Sequence, residues 1–147
     1  DDILIVDLGL QFPEEETPGI DYIIPNTSYL ESKKSNIRGL ILTHAHYDHI
    51  GAIPYVIQRI GNPRIFTTAL TKEIIERRQE EMANAPKLNI EIVKEGGSAQ
   101  ISENFRAEFF SVKYLFCNSD SFVNFFSVFI PFQIRFTGVE PMRFGFN

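Results

Sequence analysis

Residues 43–51, which read THAHYDHIG, constrain this chain more than any other stretch of its sequence. All three histidines of the chain fall inside this stretch, within six consecutive positions. The residues before it, 40–43, form a short apolar run of the kind that makes a buried strand. Because positions two apart on a strand face the same side, we expect His44 and His46 to point into one site.

The second half of the stretch predicts a turn that brings more polar groups to the same place. Gly51 and the apolar, periodic residues after it predict a helix, so that Asp48 and His49 lie in the turn before it. Imidazoles and a carboxylate are the nitrogen and oxygen donors that zinc accepts. These could be ordinary polar loop residues, but a complete His-x-His-x-Asp-His directly after an apolar strand favours metal ligation.

Size and composition are those of one soluble domain. The 147 residues can bury a core, and the net charge of −5 gives no general attraction to nucleic acid. A single cysteine, Cys117, excludes an internal disulfide and fits a reducing, cytoplasmic location. The uncharged run 121–134 contains Asn124 and Pro131 and is too short to span a membrane, so we expect no membrane partner. The chain begins with Asp1 rather than Met, so we expect the amino end to be cut, and no signal-peptide pattern is visible.

The remaining pattern predicts an α/β layered fold. The predicted strands cover residues 3–6, 37–43, 64–68, 89–93, 99–101 and 105–112, and the predicted helices cover 27–34, the segment after the motif to Gly61, and 71–84. In the first helix we expect Tyr29 and Leu30 to be buried. In the last, Ile74, Ile75 and Met82 form a narrow apolar stripe. For Arg77 and Arg78, a solvated face with intrahelical ion pairs such as Glu73 to Arg77 is a better account than phosphate contacts.

The histidine motif resembles that of the metallo-β-lactamase superfamily of hydrolases. Segments around it, residues 9–16, 18–25, 51–55 and 61–63, are similar to the corresponding stretches of the ribonuclease J-type, or β-CASP, branch of that superfamily. The resemblance implies an αββα sandwich, of which residues 1–112 would form the first half. On physical grounds alone, Glu14 to Glu16 is a solvated acidic loop between prolines.

The resemblance also implies roles for the polar residues. His44 and His46 would hold one zinc ion, and Asp48 and His49 the second. Asp48 would thereby act directly in catalysis. Asp7, at the end of the first strand, would brace the histidine loop from behind, although an acid at a strand end is often only turn chemistry. The implied activity is exonucleolytic and internal hydrolysis of RNA in the cytoplasm, by an enzyme that forms a homo-oligomer when full-length.

The resemblance ends near residue 112, and we expect residues 113–147 to be a divergent or frameshifted tail. Nine of the fourteen phenylalanines lie there. Tyr114 stands where the family has a third histidine, and Val139, next to Glu140, stands where it has a bridging aspartate. The inserted β-CASP domain that grips RNA would lie beyond the chain's end. We therefore expect an amino-terminal fragment with weak or single-metal binding and little activity of its own.

Two alternatives use the same residues. The four ligands would also serve a small-molecule thioester or lactone hydrolase of the same superfamily. The lack of later ligands would also fit a non-catalytic remnant, which binds a partner or nothing. Comparing the turnover of RNA with that of a thioester distinguishes the first alternative from a ribonuclease. The response of thermal stability to zinc tests the second alternative.

Overall fold

The computed structural model describes residues 2–13, 18–111 and 132–137 of the chain. Four parallel strands form the first sheet in the order β1-β2-β3-β4; they are β1 Ile3–Val6, β2 Ile37–Ile41, β3 Ile65–Thr67 and β4 Ile90–Ile92. A second, antiparallel sheet has the order β5-β6-β7, with β5 Ser98–Gln100, β6 Arg106–Ser111 and β7 Phe132–Thr137. The helices are α1 Ser28–Ser32, α2 Tyr47–Ile50, α3 Ile53–Val56 and α4 Ala69–Glu80.

The centre of the first sheet is covered on both faces, which explains the fully buried residues of β3 and of the end of β2. Alternate residues of a strand face opposite sides, and β2 follows this rule. Leu40 and Leu42 join a core with the helical residues Ile53 and Ile75. Ile41 joins a second core with Phe66 and with Phe109 of the second sheet. The layers are therefore helix, sheet and sheet, as predicted for the first half of an αββα sandwich.

The segment after the histidine motif is two short helices rather than one. Its apolar residues Ile53, Val56, Ile57 and Ile60 are all fully buried, as the helical spacing predicted. Pro54 explains the break, because it has no N–H to continue the hydrogen bonding of α2 and instead lies in the first turn of α3. Asp48 and His49 therefore lie within α2, not in an irregular turn.

The two surface helices differ from their predicted bounds and faces. Helix α1 ends at Ser32, and a single 3₁₀ turn covers Lys34–Asn36. The prediction that Tyr29 is buried is wrong: its side chain is 64% exposed, because a helix this short presents only the Leu30 face to the core. In α4, Ile75 is buried while Ile74 is exposed.

Helix α4 begins earlier than predicted, because the Thr68 hydroxyl accepts a hydrogen bond from the backbone N–H of Thr71. Its i,i+4 ion pair joins Lys72 to Glu76 in place of the predicted Glu73 to Arg77 pair. Arg78 also differs from its prediction, since its guanidinium lies over an aromatic ring.

One strand comes from the predicted divergent tail. Strand β7 pairs along the whole of β6, from Arg106 opposite Thr137 to Ser111 opposite Phe132. Tyr114, Val139 and Glu140 lie outside the described residues, so the predicted boundary at residue 112 stays a prediction. Within the described ranges, no helix has the length and apolar character needed to cross a membrane.

Candidate metal centre

The candidate site lies where β1 and β2 end. These strands are parallel neighbours, with Val6 opposite Ile41, so their carboxyl ends meet at the same edge of the sheet. The backbone N–H of Asp7 continues the ladder by donating to the Ile41 carbonyl at 2.8 Å. Asp7 then adopts φ 59°, a left-handed conformation that aspartate tolerates better than most residues. This turn brings the Asp7 carboxylate under the histidine segment.

The Asp7 carboxylate accepts hydrogen bonds from two parts of that segment. The backbone N–H of Thr43 donates to Oδ1 at 2.8 Å. The Thr43 hydroxyl lies 2.8 Å from Oδ2, and His49 Nδ1 lies 2.7 Å from the same oxygen. Because an ionised carboxylate only accepts, both groups donate to it. Asp7 thus joins the strand that precedes the motif to the helix within it.

This network sets the tautomers of two histidines. His49 Nδ1 carries the proton that it donates to Asp7. The Thr43 hydroxyl gives its own proton to Asp7, so it accepts from His44 Nδ1, which lies 2.9 Å away. In both rings Nε2 is then left with its lone pair, which is the form that binds a metal.

His44 and His46 come together as predicted, although β2 ends at Ile41 rather than residue 43 and both histidines lie in the loop after it. His44 Nε2 lies 3.1 Å from His46 Nδ1, and the ring centroids are 4.5 Å apart. The pKa of His44 is lowered, chiefly by burial and further by the electrostatic influence of the His49 and His46 rings, against the smaller raising effect of Asp7 and Asp48. The net shift favours the neutral imidazole, which is the form that ligates metals.

Asp48 and His49 form a second pair. His49 Nε2 lies 3.4 Å from Asp48 Oδ2, while its Nδ1 faces Asp7. The His49 ring also lies 3.9 Å from the His44 ring, measured between centroids, so the two pairs are neighbours. The structure therefore brings together all four of the predicted ligands.

The spacing within each pair suits a shared ion. Two donor atoms on one tetrahedral zinc, each bonded at about 2.0–2.1 Å, lie about 3.3 Å apart. The two observed separations are 3.1 and 3.4 Å. In residues 2–13, 18–111 and 132–137, however, no three His, Cys, Asp or Glu side chains are arranged to hold an ion. Each pair of donor atoms has the spacing of two ligands on one zinc ion. A complete tetrahedral site would need further ligands.

A backbone contact that the sequence analysis did not foresee holds the motif in place. The N–H of Leu8 donates to the His49 carbonyl at 2.7 Å, and the N–H of Leu10 donates to the Tyr47 carbonyl at 3.1 Å. Between them, a Cβ on Gly9 would lie 1.6 Å from the Asp48 carbonyl oxygen. Only glycine allows this approach. The one sequence feature that could have indicated this contact is the position of Gly9, two residues after Asp7.

A cleft of about 450 Å³ opens beside the motif. Asp7 and Asp48 line one part of it, and apolar residues such as Leu8, Ile24 and Leu30 line another. The Asp48 side chain is 70% exposed, whereas that of Asp7 is only 18% exposed. Asp48 is thus accessible to a ligand from solvent, whereas the Asp7 carboxylate is occupied by hydrogen bonds within the protein.

Comparison with known proteins identifies the family. The sequence profile of the metallo-beta-lactamase superfamily matches residues 5–110. Ribonuclease J of Mycoplasma pneumoniae is 32% identical over 114 residues, which are 78% of this chain and 20% of that protein. Ribonuclease J 1 of Streptococcus pyogenes is 41% identical over 81 residues, which are 55% of this chain and 14% of that protein.

A solved structure is also similar, at lower sequence identity. The flavodiiron protein from Giardia intestinalis aligns over 72% of this chain and 23% of its own, with a TM-score of 0.47 and 15% identity. The chain spans a fifth or less of the length of the first-named ribonucleases J. The profile match covers most of the chain and includes the histidine motif. It shows that this chain belongs to the metallo-beta-lactamase superfamily.

Proposed function

We propose that this chain carries the first metal ligands of a ribonuclease J-type enzyme that hydrolyses RNA phosphodiester bonds. The observation that carries the proposal is the arrangement of His44 with His46, and of Asp48 with His49, over the Asp7 carboxylate. The similarity to ribonucleases J from two bacteria supports RNA as the substrate. The proposal includes two zinc ions, both exonucleolytic and internal cleavage, and a cytoplasmic location.

Each residue has a defined part in this proposal. His44 Nε2 and His46 Nδ1 would hold one ion, and Asp48 Oδ2 and His49 Nε2 the other. When bound, zinc supplies a Lewis acid that lowers the pKa of water and neutralises charge on phosphoryl oxygens.

The protein's own contribution is to hold the donor atoms ready. Asp7 keeps a proton on His49 Nδ1 and, through the Thr43 hydroxyl, orients His44. A histidine whose other nitrogen donates to a carboxylate is a better and better-oriented metal ligand. Asp7 and Thr43 are therefore positioning residues, and neither would touch the substrate.

The test is hydrolysis of a labelled single-stranded RNA by the full gene product that carries this segment. Zinc-dependent cleavage that is lost with chelator and in His46→Ala is expected. An acyl-homoserine lactone and an acyl thioester are assayed in parallel. Hydrolysis of either one without cleavage of RNA would replace the proposal by the small-molecule alternative. No metal-dependent hydrolysis of any of the three would favour the non-catalytic alternative.

A further inference from the structure

Arg78 has a setting that its position on a charged helix does not predict. Its Cζ lies 4.4 Å from the centroid of the Tyr47 ring. Its side chain is half-buried, and its Nε has no hydrogen-bond partner within the described part of the chain. The contact is a cation–π interaction, which holds the guanidinium beside the histidine motif. Arg77, its neighbour, is simply exposed.

Tyr47 is the residue through which Arg78 reaches the candidate metal centre. It lies between His46 and Asp48 in sequence and is 44% exposed. Phe12, which is 63% exposed, lies with its ring centroid 6.3 Å from that of Tyr47, tilted by 45°. Two large rings are therefore presented to solvent next to two of the proposed ligands.

A second pair of rings, the exposed Tyr22 and the half-buried Tyr55, lies near Arg78. The rings of Tyr22 and Tyr55 lie 5.1 Å apart, and the Tyr55 hydroxyl donates to the Tyr22 hydroxyl at 2.6 Å. That hydrogen bond raises the pKa of Tyr55, and the nearby charge of Arg78 acts in the opposite direction. We call Phe12, Tyr22, Tyr47, Tyr55 and Arg78 together the aromatic surface.

The chemistry of the aromatic surface favours stacking over charge. Its single cation is accompanied by acidic groups, since Asp21 acts on Tyr55 and Asp48 follows Tyr47. The chain as a whole carries a net charge of −5. Attachment to phosphates alone would therefore be weak. Exposed rings and a planar guanidinium are instead what proteins use to stack the unpaired bases of single-stranded RNA.

We propose that the aromatic surface binds unpaired nucleobases of a single-stranded RNA beside the metal centre, with the Arg78-supported ring of Tyr47 as its main platform. The terminal Nη groups of Arg78, rather than its buried Nε, contact a neighbouring phosphate. This inference rests on the proposed ribonuclease function and adds to it the residues that select a single strand. The acidic neighbours make the binding depend on bases rather than on backbone charge.

The experiment measures equilibrium binding by fluorescence anisotropy, with the full chain kept metal-free by chelator so that no RNA is cleaved. The probes are a labelled oligouridylate, an abasic ribose-phosphate oligomer of equal length, and an RNA duplex. Oligouridylate is expected to bind at least about tenfold more tightly than the abasic oligomer. Tyr47→Ala should weaken oligouridylate binding by about tenfold. Tyr47→Phe keeps an aromatic ring and should bind oligouridylate as tightly as the wild type.

Arg78→Gln and Arg77→Gln form a matched pair on one helix. Arg78→Gln should weaken binding and reduce the salt slope by about 0.7, the value for one phosphate contact on a single strand. Arg77→Gln should change neither quantity. Circular dichroism of each variant establishes that it is folded.

Three results would overturn the inference: equal binding of the abasic oligomer, equal binding of the duplex, or wild-type affinity in Tyr47→Ala. Equal loss in Arg77→Gln and Arg78→Gln would also overturn it, because general charge would then explain the effect. The binding assay and the cleavage assay test the two proposals independently. Metal-dependent RNA cleavage with Tyr47-independent binding removes only this inference, whereas Tyr47-dependent binding without cleavage supports it and removes the proposed hydrolysis.

Discussion

Asp7 connects three groups whose positions decide what the histidine motif can do. It accepts from the Thr43 backbone, from the Thr43 hydroxyl and from His49 Nδ1. An asparagine could keep the left-handed backbone and one acceptor oxygen. Its amide nitrogen, however, cannot accept the His49 proton. The charge and the second acceptor can therefore be removed with little change in shape.

We predict that Asp7→Asn weakens zinc binding by about 10–100-fold, because His49 would lose the group that fixes its tautomer. Loss of hydrogen bonds to a charged acceptor should also lower the free energy of unfolding by about 1.5–3 kcal/mol. Zinc affinity is measured by competition with a chromogenic chelator, and stability by urea denaturation.

Asp21→Asn is the control for Asp7→Asn, because it removes an exposed carboxylate that lies outside this network. If both variants bound zinc as tightly as the wild type, Asp7 would have only a local structural role. Loss of affinity in Asp21→Asn alone would be equally damaging to the account.

At this scale the sequence predicts which residues meet but not how they are linked. Asp7 could be identified because the family resemblance implies an aspartate after the first strand, and the motif because its donor spacing is unusual. Thr43 could not be assigned a role, since a threonine before a histidine has no special pattern. Its importance comes from a hydroxyl that both donates and accepts, which only the folded geometry reveals.

The element that holds the motif is the chain just after β1. Leu8 and Leu10 donate backbone hydrogen bonds to carbonyls of α2, and the N–H of Ala52 returns one to Leu8 at 3.0 Å. Gly9 lies at the closest point of this contact. Helix α2 has only four residues, so its position depends on these bonds rather than on its own stability.

We predict that Gly9→Ala is strongly destabilising, because a Cβ would lie 1.6 Å from a carbonyl oxygen of α2. The cost should reach or exceed the upper end of the roughly 1–3 kcal/mol typical of overpacking. Urea denaturation measures it, and zinc binding should weaken as α2 shifts.

The control for Gly9→Ala is Gly19→Ala. Gly19 has φ 84°, but a Cβ added there would have nothing within 4 Å, so backbone strain alone should cost about 1 kcal/mol. Equal costs at the two glycines would mean that strain, and not the contact with α2, explains the result.

Helices were predicted less well than strands for a physical reason. Strand β3 and the end of β2 are buried on both faces and marked by apolar runs, β1 is an unbroken apolar run, and β4 lies in a stretch that alternates. Helix α1 is short, and adjacent Tyr29 and Leu30 point in different directions on it. Periodicity over five residues cannot tell which of the two faces the core.

For the whole molecule, the contact between the two sheets is the main feature outside the site. Phe66 and Phe109 are both fully buried in it. Gly39 lies against the same layer, where a Cβ would be 2.9 Å from the Phe66 ring and from the Ile101 side chain. The sheets therefore pack closely at this point.

We predict that Phe66→Ala lowers the free energy of unfolding by about 3–5 kcal/mol, the usual cost of removing a buried aromatic side chain. Ile74→Ala, on the exposed part of α4, should change it by less than about 0.5 kcal/mol. A similar small change in both variants, measured by urea denaturation, would contradict close packing between the sheets.

The layered architecture could be predicted because apolar runs and a charged helix alternate along the chain. The pairing of β7 with β6 was not predicted, although β7 alternates apolar and polar residues, because the strand lies in the tail that was expected to diverge from the family. The later ligands that a full metal site requires were expected to be missing, and the positions concerned lie outside the described residues.

The central claim is that the two donor pairs bind zinc, and its most direct test is a zinc titration of the purified chain monitored by melting temperature and metal content. The account predicts weak, saturable binding that raises the melting temperature in proportion to the logarithm of free zinc. His46→Ala should remove most of this effect, while Asp21→Asn retains it. A melting temperature that does not respond to zinc, or an equal response in wild type and His46→Ala, would contradict the claim.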